Sequence, residues 1–137
     1  METPPEPILS LDVPCDPDAP RTVRAALAEM DRLGGVISDV LLVASELVTN
    51  VVVHSGCRHE HEHEHELAVR AYVNGDRMTI SVHDPDLSEQ AAHQRVAEAD
   101  GAGGWGLQIV DRLAARWGAH RDHGYQVWAE LALAPSP

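Results

Sequence analysis

Apolar and polar residues alternate over "ILSLDVP", residues 8–14, and a period of two predicts a short strand. The pattern then changes. In "DPDAPRTVRAALAEMDRLGG", Val23, Leu27, Met30 and Leu33 recur at helical spacing. Asp18 is placed to cap that helix, Pro20 sits in its first turn, and Gly34 and Gly35 stop it.

The next segment, "VISDVLLVASELVTNVVVHSG", is apolar almost throughout. Its β-branched run around Val51 leans locally toward strand. Its length from Val40 to Val53 favours a helix, which Ser38 or Asp39 can cap. On that helix Glu46, Asn50 and His54 fall at i, i+4 and i+8, one polar stripe along an apolar rod. Such a stripe either faces solvent or meets a polar partner.

"LAVRAYVNGDRMTISVHD" reads as two alternating strands around an Asn-Gly-Asp turn. "PDLSEQAAHQRVAEADGAGG" is polar and ends in glycines, the pattern of a long binding loop or lid. "WGLQIVDRLAARWG" reads as a helix with Leu107, Val110, Leu113 and Ala114 inward, and "AHRDHGYQVWAELAL" as a closing hairpin. The resulting order predicts an α+β two-layer sandwich, with helices on one face of a mixed, mainly antiparallel sheet. Residues 1–7 are expected to be a disordered tail and 8–134 a single domain.

Composition narrows the function. The net charge is −12 and every basic residue is arginine, which argues against nucleic acid and against anionic membranes as partners. The N-terminus has no basic, apolar leader pattern, and no run reaches the roughly 18 apolar residues of a spanning helix. Two cysteines, Cys15 and Cys57, make no disulfide framework. Two free thiols in a reducing cytoplasm are the expectation.

Three segments carry candidate chemistry. "GAGGWGLQIV" is a glycine-rich loop feeding a helix start, where free N–H groups can bind phosphate. Asp84, at a strand end, can accept from a base amino group, or can simply form a turn. Asn50 offers a hard oxygen of the kind that Mg²⁺ takes beside phosphates. Glu46, one turn away, can take a proton from a nucleophile.

In this order, "LLVASELVTNVVVHSG", "VHDPD", "GGWGLQIVDRLAARWG" and "VWAEL" resemble the GHKL superfamily of ATP-binding proteins. Within it they are most similar to the small anti-sigma-factor-like serine/threonine kinases of actinobacteria. The resemblance spans about Asp12 to Leu133. It implies the Bergerat fold of histidine-kinase-type ATPases, with ATP and Mg²⁺ as cofactors. Asn50 would hold Mg²⁺, Glu46 would be the general base and Asp84 would bond the adenine amino group. Gly103, Gly104, Gly106 and Leu107 would carry the phosphate chain. Residues 85–103 would form the lid, with Arg95 as its cation toward phosphate. His54 would line the same stripe, or meet the helix C-terminus. Implied partners are an anti-sigma-antagonist-type protein and a sigma factor, with a homodimer as the assembly.

Two features depart from that pattern. Asp86 stands where the superfamily has glycine, two residues after Asp84, and its charge would repel phosphate. "HEHEHEHE" then alternates His59, His61, His63 and His65 with glutamates. Imidazole and carboxylate both bind Zn²⁺ or Ni²⁺, but a repeat this simple fixes no unique geometry, and a loop insertion over 59–66 is the plainer reading. Three functions compete: a regulatory kinase, an ATP-responsive or nucleotide-free protein clamp, and a metal-binding module built on the tract.

Overall fold

The alternating segment at the start of the chain forms β1, Leu9–Pro14, in the computed structural model, which describes residues 6–55, 66–85, 105–121 and 123–133, with the backbone alone at 31–33, 105 and 106. The helical stripe that follows forms α1, Ala19–Ala28, with Val23 and Leu27 buried. Pro20 lies in its first turn, but Asp18 makes no side-chain cap. Instead the Asp18 N–H donates to Oδ1 of Asp16 at 2.8 Å. The helix also ends earlier than the glycine pair. Met30 turns extended, and its N–H closes on the Leu27 carbonyl at 3.0 Å. A 3₁₀ segment, Asp31–Val36, follows, broken at Gly34 with φ 51°.

The ambiguous apolar run is a helix, α2, Ile37–Ser55. Ser38 and Asp39 lie inside its first turn rather than at its cap. Its β-branched residues are tolerated because packing outweighs local propensity: Val40, Val43, Leu47, Val48 and Val51 are all fully buried. Contrary to the sequence expectation, Gly34–Ser55 is long and apolar enough to cross a membrane by length and composition, with a mean hydropathy of 1.9. In the fold that apolarity serves the core.

The remaining elements are β2 (Glu66–Asn74), β3 (Arg77–Asp84), α3 (Trp105–Leu113), β4 (Arg116–His120) and β5 (Tyr125–Ala132). The β2–β3 turn is as expected, with Gly75 at φ 63° supplying the left-handed position. The last helix is shorter than its sequence pattern suggests. The Ala115 N–H bonds the Glu130 carbonyl at 2.7 Å, which draws Arg116, Trp117 and Gly118 into the sheet.

The strand order is β1-β2-β3-β5-β4, and every pair is antiparallel. No parallel pair exists among the described residues, so the expected mixed sheet is corrected to an antiparallel one. The two-layer α+β reading holds. One sheet face, with Val13, Leu67, Val69, Ile80, Val82 and Val127, packs under the helices. The other carries partly exposed polar residues, including Arg70, which pairs with Asp12 at 3.2 Å. On that face the Trp128 indole lies over Gly118, where a Cβ would come within 3.0 Å of it.

Cys15, fully buried between β1 and α1, is disulfide-bonded. This overturns the expectation of two free thiols. The chain's one other cysteine, Cys57, lies outside the described residues.

Candidate functional site

The polar stripe of α2 does not run along a solvent face. Glu46 and Asn50 are half-buried, and His54, one turn further, is only 3% exposed. The stripe descends from the helix surface into the seam between α2 and the start of β5. Its partner there is Tyr125. The Tyr125 hydroxyl donates to Oδ1 of Asn50 at 2.7 Å, and the His54 ring leans on the Tyr125 ring with centroids 4.9 Å apart. A buried tyrosine needs a partner for its hydroxyl, and Asn50 provides one.

Asp84 ends β3 directly opposite Tyr125 in the antiparallel register. It is fully buried, and its Oδ2 accepts a hydrogen bond from the Ser55 hydroxyl at the last residue of α2. The close approach of the β5 entry to Asp84 requires a glycine. Gly124 has φ 103°, and a Cβ there would lie 2.1 Å from the Asp84 carbonyl oxygen. Helix end, strand end and strand start therefore meet at one place, joined through Ser55–Asp84 and Asn50–Tyr125.

Of the residues singled out from sequence, Asn50, His54 and Asp84 come together at this end of the sheet, while Glu46 lies at the middle of α2, two turns before His54. Gly106 and Leu107 lie in the first turn of α3, which packs against α2. Gly103, Gly104, Arg95, Asp86, the lid beyond Pro85 and His59, His61, His63 and His65 lie outside the described residues. Three residues went unnoticed in the sequence: Ser55, Gly124 and Tyr125. Tyr125 had a usable signal, since it takes an inward position of an alternating strand and carries a hydroxyl that must be satisfied.

Residues 13–131 match the histidine kinase-like ATPase domain. The chain belongs to that family. The match takes in every residue of the cluster just described, so the cluster is part of an ATPase domain of GHKL type, and ATP is the ligand its family implies. No curated protein matches the sequence. The fold of this ATPase domain is similar to a chain in the crystal structure of the SiaB–SiaC complex from Pseudomonas aeruginosa. The TM-score is 0.64 at 18% identity, with 91% of this chain and 89% of that chain covered.

The residues present fit a magnesium ion that arrives with phosphates. No group of three or more His, Cys, Asp or Glu side chains could cage a metal among the described residues. Mg²⁺ ordinarily needs no such cage, since it keeps several waters and takes one or two protein oxygens plus phosphate. The Asn50 carboxamide oxygen has a second acceptor position beyond the one that Tyr125 uses.

Proposed function

We propose that this ATPase domain is a regulatory kinase of the anti-sigma type. In this reading it binds ATP with Mg²⁺, phosphorylates a serine or threonine of an antagonist-type partner protein, and holds a sigma factor in its other state as a homodimer. The observation that carries the reading is the meeting of Asn50 and Asp84, through Tyr125 and Ser55, at one end of a histidine kinase-like ATPase fold, with Glu46 one turn before Asn50 on the same helix.

Each group has a physical task. The Asp84 carboxylate accepts from the adenine amino group. The half-buried Glu46 takes the proton of the attacking hydroxyl, a role that a carboxylate on a rigid helix performs at low reorganisation cost. Asn50 holds Mg²⁺, which when bound neutralises phosphate charge. Gly106 and Leu107, in the first turn of α3, carry the phosphate chain together with Gly103 and Gly104, since free N–H groups at a helix start favour anions. The solved structure of similar fold is a complex of two proteins, SiaB and SiaC, which supports a protein as the partner here.

Thermal unfolding tests the nucleotide. ATP at about a hundred times its dissociation constant stabilises a fold by about 2.7 kcal/mol, which for a domain of this size raises the melting temperature by roughly 5 to 10 °C. Transfer of labelled γ-phosphate to serine or threonine of a co-purified partner then tests the kinase. A second reading, a protein clamp without phosphotransfer, draws on the full burial of Asp84 and its bond to Ser55. Its nucleotide-free form predicts no shift with ATP and Mg²⁺, and its ATP-responsive form predicts a shift without phosphotransfer.

A further inference from the structure

We propose that Tyr125 is a positioning residue for the metal: its hydroxyl holds the Asn50 carboxamide in the orientation that presents Oδ1 to Mg²⁺. The inference rests on the ATP–Mg²⁺ reading above and adds to it a residue from a distant strand.

An asparagine side chain on a helix turns freely about its last torsion, and its oxygen and nitrogen ends are nearly the same size. A metal ligand cannot afford that freedom. Mg²⁺ demands near-ideal octahedral geometry, and an amide turned by half a rotation would offer N–H groups to the cation. Asn50 is half-buried on α2, so packing of its own helix leaves the amide end unfixed. Tyr125 supplies the constraint from across the seam.

The geometry suits that task. Tyr125 is 1% exposed and belongs to the core cluster, so its ring has one position. It is held on one side by β5 pairing with Asp84 and on another by the His54 ring, 4.9 Å away and tilted by 39°. From that fixed ring the hydroxyl reaches Asn50 Oδ1 at 2.7 Å, the usual distance of an O–H···O hydrogen bond. A phenol hydroxyl has one proton. Donated to Oδ1, it identifies that atom as the acceptor end of the amide and occupies one of its two acceptor positions. The other stays available to a cation.

Tyr125 is thus 75 positions from its target in sequence, yet it fixes which atom of Asn50 the metal meets. Because it also sits opposite Asp84, one side chain of β5 is placed against both recognition groups, the adenine acceptor by strand pairing and the metal ligand by its hydroxyl.

Tyr125→Phe removes the hydroxyl and keeps the ring. Calorimetric ATP binding is measured for the parent and the variant, each with Mg²⁺ and with EDTA. The expected result is a loss of Mg²⁺-dependent ATP affinity of about 10- to 100-fold, the usual effect of removing an outer-shell partner, with metal-free ATP binding unchanged. In an Asn50→Ala background the same change should have no further effect on the metal-dependent part. Parent-like metal dependence in Tyr125→Phe overturns the positioning role alone, as does tighter Mg²⁺-dependent binding, which would make the hydroxyl a competitor of the metal. Absence of any ATP binding by the parent overturns the nucleotide reading and this inference with it. Should Tyr125→Phe not fold, fluorotyrosine-labelled protein carrying Tyr72→Phe decides the matter. Its one remaining tyrosine signal should move when Mg²⁺ is added to the ATP complex, and a stationary signal overturns the proposal.

Discussion

The Ser55 hydroxyl donates to the Asp84 carboxylate, tying the last residue of α2 to the last residue of β3 across 29 positions of sequence. Asp84 is fully buried, and a buried carboxylate that loses a hydrogen-bond donor costs more than an exposed one. Ser55→Ala should therefore lower stability by about 1.5 to 3 kcal/mol. It should also weaken ATP binding, since Asp84 then loses the bond that ties it to the end of α2. Urea denaturation and calorimetry on the same variant check both parts.

Glu46 and Asn50 sit one turn apart on the same helix, and their losses should differ in kind. Glu46→Gln keeps shape and polarity but cannot take a proton. ATP should bind at the parent affinity while phosphotransfer falls by about 10² to 10⁴. Asn50→Ala should instead lose the Mg²⁺-dependent part of nucleotide binding. Slow ATP hydrolysis serves as the readout until a cognate protein substrate is in hand. Parent-rate turnover in Glu46→Gln would remove Glu46 from the base role.

Gly124 and Gly34 both have positive φ, but their surroundings differ. A Cβ on Gly34 meets nothing within 4 Å, whereas on Gly124 it would strike the Asp84 carbonyl. Gly124→Ala should cost at least about 2 kcal/mol and disturb the nucleotide site. Gly34→Ala should cost about 1 kcal/mol and leave ATP binding alone. Comparable urea midpoints for the two variants would contradict the close approach.

The disulfide at Cys15 gives a prediction that needs no ligand. Reduction should lower stability by about 2 to 4 kcal/mol, mainly by freeing the unfolded chain. Cys15→Ser should show the same lowered urea midpoint, and added dithiothreitol should change it no further.

Much of the architecture was legible in the sequence because its signals were periodic. The β2–β3 hairpin followed from alternation and an Asn-Gly turn, and α2 followed from length despite its β-branched residues. Helix ends were less legible. Asp18 and Ser38 have the right chemistry for caps, yet the chain satisfies those termini otherwise. The strand from Arg116 was hidden because "LAARWG" suits a helix as well, and only the tertiary bond from Ala115 to Glu130 decides it. The site was legible along one helix, where Glu46, Asn50 and His54 share a spacing. Tyr125 and Ser55 could not be joined to it from spacing, because their partners come from other elements. The two free thiols inferred from cysteine number were wrong, since a count of two does not exclude a single bridge.

Strand order has a kinetic consequence. The β2–β3 and β4–β5 hairpins join neighbours in sequence, so each can form with little loop-closure cost. The β3–β5 seam joins one hairpin to the other and must wait for the intervening chain to come round. Asp84 lies on the first hairpin and Tyr125 on the second. A ligand that engages both sides would act as a clasp on the seam that joins the two hairpins, and amide exchange along that seam would slow first when it binds.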